Sequence, residues 1–112
     1  MTWPLPNGHH RVVLTHIVLW TFSETVPAEE REGILAALRA LPAAIPAIRS
    51  LQVGENSSPA RAHGYTHVLV ETFDDRAGLA AYASHPAHLP VLDRMRAATA
   101  QLLAVDLEAA AG

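Results

Sequence analysis

Cysteine is absent from the 112-residue sequence, and this absence excludes several chemistries at once. Without thiols there are no disulfides, no thiol nucleophile and no cysteine-ligated zinc or iron–sulfur site. The lack of disulfides also fits a cytoplasmic protein. The N-terminus has no basic start followed by an apolar run, so we expect no signal peptide. No apolar run approaches about 18 residues, so we expect no membrane-spanning segment.

Basic residues are few, and the common catalytic motifs are missing. The eight lysine and arginine residues are scattered along the chain, whereas a nucleic-acid-binding surface would collect them in a stripe. The sequence contains no G-x-S-x-G nucleophile motif, no phosphate-binding or dinucleotide-binding glycine motif and no H-E-x-x-H zinc motif. We therefore expect neither a hydrolase of the nucleophile-elbow type nor a nucleotide-binding protein.

What is present is the composition of one folded domain. Half of the residues are apolar, 17% are charged and the formal net charge is −3. These values are typical of a globular domain, and the length suits a single core. We expect an irregular N-terminal extension at residues 1–10, the domain at residues 11–108 and a short tail at residues 109–112.

The apolar pattern predicts the order β-α-β-β-α-α-β. We expect strands at residues 11–22, 48–54, 65–73 and 102–108. Thr25 is a candidate cap for the first helix, which we expect Pro42 and Pro46 to end, and Asp74 or Asp75 is a candidate cap for the second. Pro86 can begin the third helix, and we expect Pro90 in its first turns to make that start imperfect or delayed. This order predicts the α+β class, a ferredoxin-like split βαβ fold with helices on one face of a four-stranded antiparallel sheet.

Both faces of the first and third predicted strands are apolar. Val13, Ile17 and Leu19 lie on the face that points away from the helices, and Val68 and Val70 share that side of the third strand. Exposing such an apolar face to water is unfavourable. We therefore expect a second sheet to pack on it, most simply the sheet of an identical chain. The sequence thus predicts a homodimer, joined through the open sheet face into an α+β barrel.

Four polar side chains are predicted to meet between the sheet and the helices. His16 and His67 lie on strand faces that look toward the helices, and Tyr82 and His88 lie on the helical segments that cover them. Buried polar groups need partners, so their convergence indicates a pocket. A histidine can accept a proton near neutral pH and a tyrosine hydroxyl can stabilise a developing oxyanion. The alternative is that each histidine is a hydrogen-bonded core residue.

The stretch Y-A-S-H-P-A-H-L-P, residues 82–90, also raises the possibility of a metal site. His85 and His88 are three positions apart, but no carboxylate lies beside them. Pro86 breaks the helix that would place both rings on one face. We therefore expect no metal here, and we expect His85 to end one helix while His88 begins the next.

Three stretches carry a family resemblance: H-I-V-L-W-T-F, G-Y-T-H-V-L-V-E-T-F and Y-A-S-H-P-A-H-L. In their order and spacing, from about Val13 to Asp106, the chain resembles the stress-responsive dimeric α/β-barrel (Dabb) family. The resemblance implies a ferredoxin-like fold and dimerisation sheet to sheet, in agreement with the pattern above.

The resemblance also implies an activity and site residues. Plant members of the olivetolic acid cyclase type close a linear poly-β-keto thioester by an intramolecular aldol reaction without a cofactor. Their tyrosine and histidine lie in the setting Y-x-x-H-P-A-H, which makes His88 the implied general base and Tyr82 the implied oxygen stabiliser. The implied substrate-binding residues are His16, His67, Trp20, Leu35, Leu38 and Leu69. Leu35 and Leu38 replace bulky aromatics of the plant pocket, so the substrate does not transfer with the motif.

The sequence leaves more than one function class open. The first is a cofactor-independent, polyketide cyclase-like or related proton-transfer enzyme acting on a small poly-carbonyl or aromatic precursor. The second is a non-catalytic stress-responsive barrel that binds a small ligand in its polar pocket. A relative that uses a cofactor, such as a haem-degrading or quinone-forming monooxygenase, is a third. We carry forward the first two, with no cofactor and a small molecule as the expected partner.

Overall fold

The computed structural model describes residues 12–110 of the chain. The elements in this range are β1 (Val12–Phe22), α1 (Ala28–Ala44), β2 (Ser50–Glu55), β3 (His67–Phe73), α2 (Arg76–Ala83), α3 (Leu89–Ala98) and β4 (Thr99–Ala110). A short 3-10 turn at Pro59–Ala62 lies in the predicted loop between β2 and β3. The predicted extension at residues 1–10 lies outside the described residues, as do the last two residues of the predicted tail.

The four strands form one antiparallel sheet in the order β2-β3-β1-β4. The long strand β1 is central and pairs with β3 on one side and with β4 on the other. The helices lie on one face of this sheet. The predicted fold class, an α+β ferredoxin-like split βαβ arrangement, is therefore confirmed.

The period-two pattern of the strands determines which side chains enter the core. Strand β1 buries Leu14, Trp20 and Phe22, and β3 buries Leu69 and Phe73 on the same side of the sheet. Helix α1 covers them with an apolar stripe in which Ile34, Leu35, Leu38 and Leu41 are buried. One core thus fills the layer between the sheet and the helices.

Helix α1 differs from the prediction at its start and agrees with it at its end. Thr25 does not cap the helix, because α1 starts after Pro27 and no side chain caps it. At the other end α1 passes Pro42 and stops at Ala44, before Pro46. Proline in the last turn removes only one backbone donor. The next turn is held by the N–H of the buried Ile45, which donates to the Leu41 carbonyl over 2.9 Å.

Helices α2 and α3 are joined by the turn that contains both histidines of the H-P-A-H stretch. Asp75 caps α2 as predicted, since its side chain accepts a hydrogen bond from the Gly78 N–H over 2.9 Å. Helix α3 begins at Leu89, directly after His88, because residues 86–88 form a turn; its start is therefore delayed relative to Pro86. In this turn the His88 N–H donates to the His85 carbonyl over 2.9 Å.

Strand β4 is longer than the predicted segment at residues 102–108. It begins at Thr99, directly after α3, and continues to Ala110 because it pairs with β1 along the whole of that strand. Part of the predicted tail, Ala109 and Ala110, therefore belongs to the sheet.

The sheet face opposite the helices is apolar and open. Rows of apolar side chains cross it, such as Val70–Ile17–Val105 and Val68–Leu19–Leu103. On β4 the side chains of this face are exposed, with relative exposures of 50% at Val105 and 56% at Leu107. Among residues 12–110, no helix is long and apolar enough to cross a membrane.

Candidate functional site

A cavity of about 250 Å³ lies between the sheet and the helices. Its floor is formed by β1, β3 and β4, and its cover comes from α1, α2, α3 and the turn between the last two. Most of its lining is apolar, and the polar side chains that reach it are His16, Tyr82 and His88. Such a cavity, mostly apolar with a few convergent polar groups, is the usual form of a small-molecule site.

His88 is held in one orientation by the end of helix α2. Its Nδ1–H donates to the Ala83 carbonyl over 3.1 Å, because a carbonyl oxygen can only accept. This hydrogen bond leaves Nε2 as the nitrogen with a free lone pair. Burial lowers the pKa of His88, and it outweighs the opposing effect of the Ala83 carbonyl. His88 therefore has the neutral form that a general base needs near pH 7.

The neighbouring His85 has a different position and a different contact. Its Nδ1 accepts a hydrogen bond from the Ala87 N–H over 3.0 Å, within the turn that links α2 to α3. It does not belong to the cavity lining. Pro86 thus separates the two histidines, and only the second one reaches the cavity.

Tyr82 lies on the last turn of α2, beside His88. The two ring centroids are 4.1 Å apart with an interplanar angle of 32°, and the Phe73 ring packs against Tyr82 at 5.3 Å. Burial raises the pKa of the Tyr82 hydroxyl, and the nearby Glu71 carboxylate raises it further. Tyr82 is therefore a neutral hydrogen-bond donor at physiological pH.

His16 enters the cavity from β1 and is paired with a carboxylate. Its Nδ1 lies 2.5 Å from Oδ1 of Asp106, which faces it across the β1–β4 ladder. Since a carboxylate accepts, Nδ1 carries the hydrogen. The His16 ring centroid is 6.2 Å from that of Tyr82. The site thus contains two histidines whose tautomers are determined by protein acceptors, with the tyrosine between them.

The other sequence-predicted pocket residues divide into two groups. Trp20, Leu38 and Leu69 line the cavity. His67 and Leu35 are buried but are not among its lining residues. His67 stacks on Trp20 with ring centroids 5.5 Å apart, and its pKa is lowered by burial. It therefore lies behind the indole rather than facing the cavity.

Sequence reasoning missed two carboxylates that contact the site. Asp106 was treated only as part of the fourth strand, although it shares a strand face with the cavity-lining residues Leu102 and Ala104. Glu71 lies on the helix-facing side of β3 and is fully buried, at 0% exposure. A period-two count along each strand could have found both, because a charged residue on a core-facing position requires a partner.

Within the described residues, no group of three or more histidine, aspartate or glutamate side chains is arranged to hold a metal ion. The chemistry that this arrangement favours is proton transfer, with two imidazole bases and one phenolic donor around an apolar space.

Comparison with known proteins agrees with the fold and identifies the family. The sequence profile of the stress responsive A/B barrel domain, Dabb, matches residues 14–109. A stress-response A/B barrel domain-containing protein of Arabidopsis thaliana is 30% identical over 98 residues, which cover 86% of each chain.

Solved structures give the same result. A dimeric ferredoxin-like protein of unknown function from Thermobifida fusca is 30% identical, with a TM-score of 0.77 over 88% of this chain and 92% of that one. Hydroxynitrile lyase from Passiflora edulis shares the fold at 21% identity, with a TM-score of 0.81 over 87% of this chain and 93% of that one. The chain belongs to the Dabb family of stress-responsive A/B barrel domains.

Proposed function

We propose that this protein is a cofactor-independent proton-transfer enzyme, of the polyketide cyclase or lyase type, that acts on a small poly-carbonyl or aromatic precursor. The observation that carries the proposal is the contact between Tyr82 and His88 in the wall of an apolar cavity. In this contact the neutral base His88, whose Nε2 is free because Nδ1–H donates to the Ala83 carbonyl, lies beside the hydroxyl donor Tyr82.

The steps of the proposed reaction balance without a further reactant. Nε2 of His88 removes a proton from a carbon that lies between two carbonyl groups, and the electron pair moves to a carbonyl oxygen. The Tyr82 hydroxyl donates a hydrogen bond to the enolate that forms. When the enolate carbon attacks a second carbonyl of the same chain, the new alkoxide takes the proton back from the His88 imidazolium. His16, oriented by Asp106, is proposed to accept at Nε2 a hydrogen bond from an enol hydroxyl of the substrate.

The walls of the cavity support the choice of substrate class. Its lining is mostly apolar, and its volume of about 250 Å³ suits a small molecule. In the proposal, Trp20, Leu38 and Leu69 contact the apolar part of the substrate, while His67 and Leu35 support the wall from behind. The same apolar lining favours a second candidate function, the binding of a small ligand without chemistry.

The test uses a linear poly-β-keto thioester of N-acetylcysteamine in D₂O. We expect the protein to accelerate deuterium uptake at the carbons between carbonyls, followed by NMR, and cyclic product, followed by mass spectrometry. His88→Asn keeps a donor for the Ala83 carbonyl but removes the base, and it should slow uptake by about 10²–10⁴-fold. Tyr82→Phe removes only the hydroxyl and should also lose most of the rate.

The matched control is His63→Asn, since His63 is exposed in the loop before β3 and has the left-handed conformation that asparagine tolerates. It should keep the wild-type rate. If His88→Asn and Tyr82→Phe turn over as fast as wild type, the assignment is wrong. If the thioester binds but no variant or wild-type protein accelerates exchange, the ligand-binding function is favoured.

We also propose that two copies of this chain form a homodimer through the open sheet face. Apolar rows across β3, β1 and β4 support this, together with the dimeric state of the Thermobifida fusca relative. Sedimentation velocity at micromolar concentration should give twice the monomer mass, and a monomer would contradict the proposal. The domain, expected at residues 11–108 and lengthened by Ala109 and Ala110 of β4, and the cytoplasmic location are part of the same proposal. Cell fractionation tests the location.

A further inference from the structure

Glu71 is a buried acid that the proposed mechanism does not use. Its side chain is fully buried, and neither carboxyl oxygen has a hydrogen-bond partner among the described residues. It lies in the middle of β3, opposite His16 of β1 and Leu51 of β2 in the sheet ladders. An ionised carboxylate without partners is costly to bury, so this group needs either a proton or a donor.

Among residues 12–110, the groups around Glu71 include no strong cation. Tyr82 lies near it on α2, and His88 is in contact with Tyr82 at the junction with α3. The neighbouring strand contributes His16, whose Nδ1 is paired with the Asp106 carboxylate of β4. The buried side chains of α1 are all apolar. Burial raises the pKa of Glu71 to about 7, and the nearby Tyr82 hydroxyl lowers it by less.

The Tyr82 hydroxyl has one hydrogen, which it can donate either to Glu71 or to a ligand in the cavity. If Glu71 is ionised, the carboxylate accepts this hydrogen, and the hydroxyl cannot also donate it to a bound ligand. If Glu71 is protonated, its own O–H can donate to the Tyr82 oxygen. The phenolic hydrogen is then free for the cavity, and donation to its oxygen strengthens it as a donor.

We propose that Glu71 is a positioning residue for Tyr82. In its protonated form, Glu71 donates a hydrogen bond to the phenolic oxygen and directs the hydroxyl hydrogen to the bound enolate. In its ionised form, Glu71 accepts that hydrogen and withdraws it from the cavity. This inference rests on the proposed function of Tyr82 as the oxygen stabiliser and adds a control of that residue. Glu71 would act from the wall behind the cavity, because it is fully buried and is not among the residues that line the cavity.

The first test needs no substrate. The chain has two tyrosines, so Tyr65→Phe leaves Tyr82 as the single ¹³Cζ resonance in protein labelled at that carbon. We expect this resonance to move in one step near pH 7, because the hydroxyl changes its hydrogen-bond partner there. The same step should appear in the ¹³Cδ signal of the Glu71 carboxyl. Glu71→Gln, whose amide donates at every pH, should abolish the step at Tyr82.

The neighbouring histidines provide the controls for this step. His88→Asn and His16→Asn remove the two imidazoles near Tyr82. If the Tyr82 step survives both substitutions and is lost in Glu71→Gln, the proposal is supported. If the step follows His88 instead, or if Tyr82 does not change between pH 5 and pH 9, the proposal is wrong. The direct Glu71 signal in the wild-type protein decides the question even if a variant fails to fold.

The second test measures deuterium uptake by the poly-β-keto thioester as a function of pH. The wild-type rate should fall about tenfold for each pH unit above 7, because the active form requires a protonated Glu71. Glu71→Gln should keep its rate in that range. Equal pH profiles for the two proteins would overturn the role of Glu71 and leave the proposed function standing. If the wild-type protein gives no rate above buffer, the proposed function fails, while the Tyr82 resonance still decides whether Glu71 controls the hydroxyl.

Discussion

The substitution Glu71→Gln should make the protein more stable at neutral and alkaline pH. The pKa of this carboxyl rises from its ordinary value of 4.5 to about 7 on folding, chiefly because of burial. Folding therefore favours the protonated form, and the contribution of Glu71 to the free energy of unfolding is complete below pH 4.5. It declines as the pH rises to 7 and is constant above, a total loss of about 3 kcal/mol. Glutamine has no proton to lose and avoids this decline.

The assay is denaturant unfolding of both proteins at a series of pH values between 4.5 and 8.5, at one protein concentration. The difference in unfolding free energy, variant minus wild type, should increase by about 3 kcal/mol from the acid end to pH 8. Taking the difference cancels the contributions that histidines such as His67 and His88 make to the pH dependence of the unfolding free energy. Their lowered pKa values make the protein more stable as the pH rises, which is opposite to the effect of Glu71. Glu24→Gln, at an exposed glutamate, controls for the loss of one charge.

A constant difference between pH 4.5 and pH 8 would refute the reasoning. It would mean that Glu71 has the same pKa in the folded and unfolded chain, and hence that its carboxylate finds a donor in solution. A difference that decreases toward alkaline pH would mean that the folded protein prefers the ionised form. The positioning role of Glu71 would then lose its physical basis, because Tyr82 would be held by a carboxylate throughout the physiological range.

Two further predictions concern the sheet. Val105→Glu places a charge on the open apolar face and should convert the proposed dimer to a monomer in sedimentation velocity, since a buried unpaired carboxylate is costly. Asp106→Asn replaces the charged acceptor of His16 with a neutral one. Because the pair is partly exposed, we expect the variant to lose about 1 kcal/mol of transition-state stabilisation, which is about a fivefold slower deuterium uptake. We also expect ¹⁵N NMR to show a change of the His16 tautomer.

The substitution on the sheet face has a matched control. Ala40→Glu adds the same charge on the exposed side of α1 and should leave the mass unchanged. A monomer for both Val105→Glu and Ala40→Glu would show that charge alone, rather than the sheet face, decides association. An unchanged His16 tautomer in Asp106→Asn would mean that another group orients this ring.

Much of the fold was predictable from local pattern. Alternation along β1 assigned Leu14, Trp20 and Phe22 to one face, and the structure buries all three. Asp75 was predictable as a cap because capping depends on a side chain and a backbone N–H only three residues away. The separation of His85 from His88 also followed from the local effect of Pro86 on the helix.

Element ends were less predictable, because they depend on contacts with distant residues. Pro42 fits within α1 because the following turn buries Ile45 in the core. Strand β4 extends to Ala110 because β1 offers pairing partners along its full length. Neither contact is visible in the local sequence, so propensity alone ends the strand too early and does not say which of the two prolines the helix passes.

The sequence by itself determined the family, the order of the elements and the presence of His16, Tyr82 and His88 in one layer, since each follows from a periodic pattern or a contiguous motif. Only the tertiary structure decided which side chains share the cavity. It placed Asp106 against His16 and Glu71 behind Tyr82, and it placed His67 behind Trp20. The physical reason is that burial and pairing arise between segments far apart in the chain. The raised pKa of Glu71 therefore exists only when the helices close over the sheet.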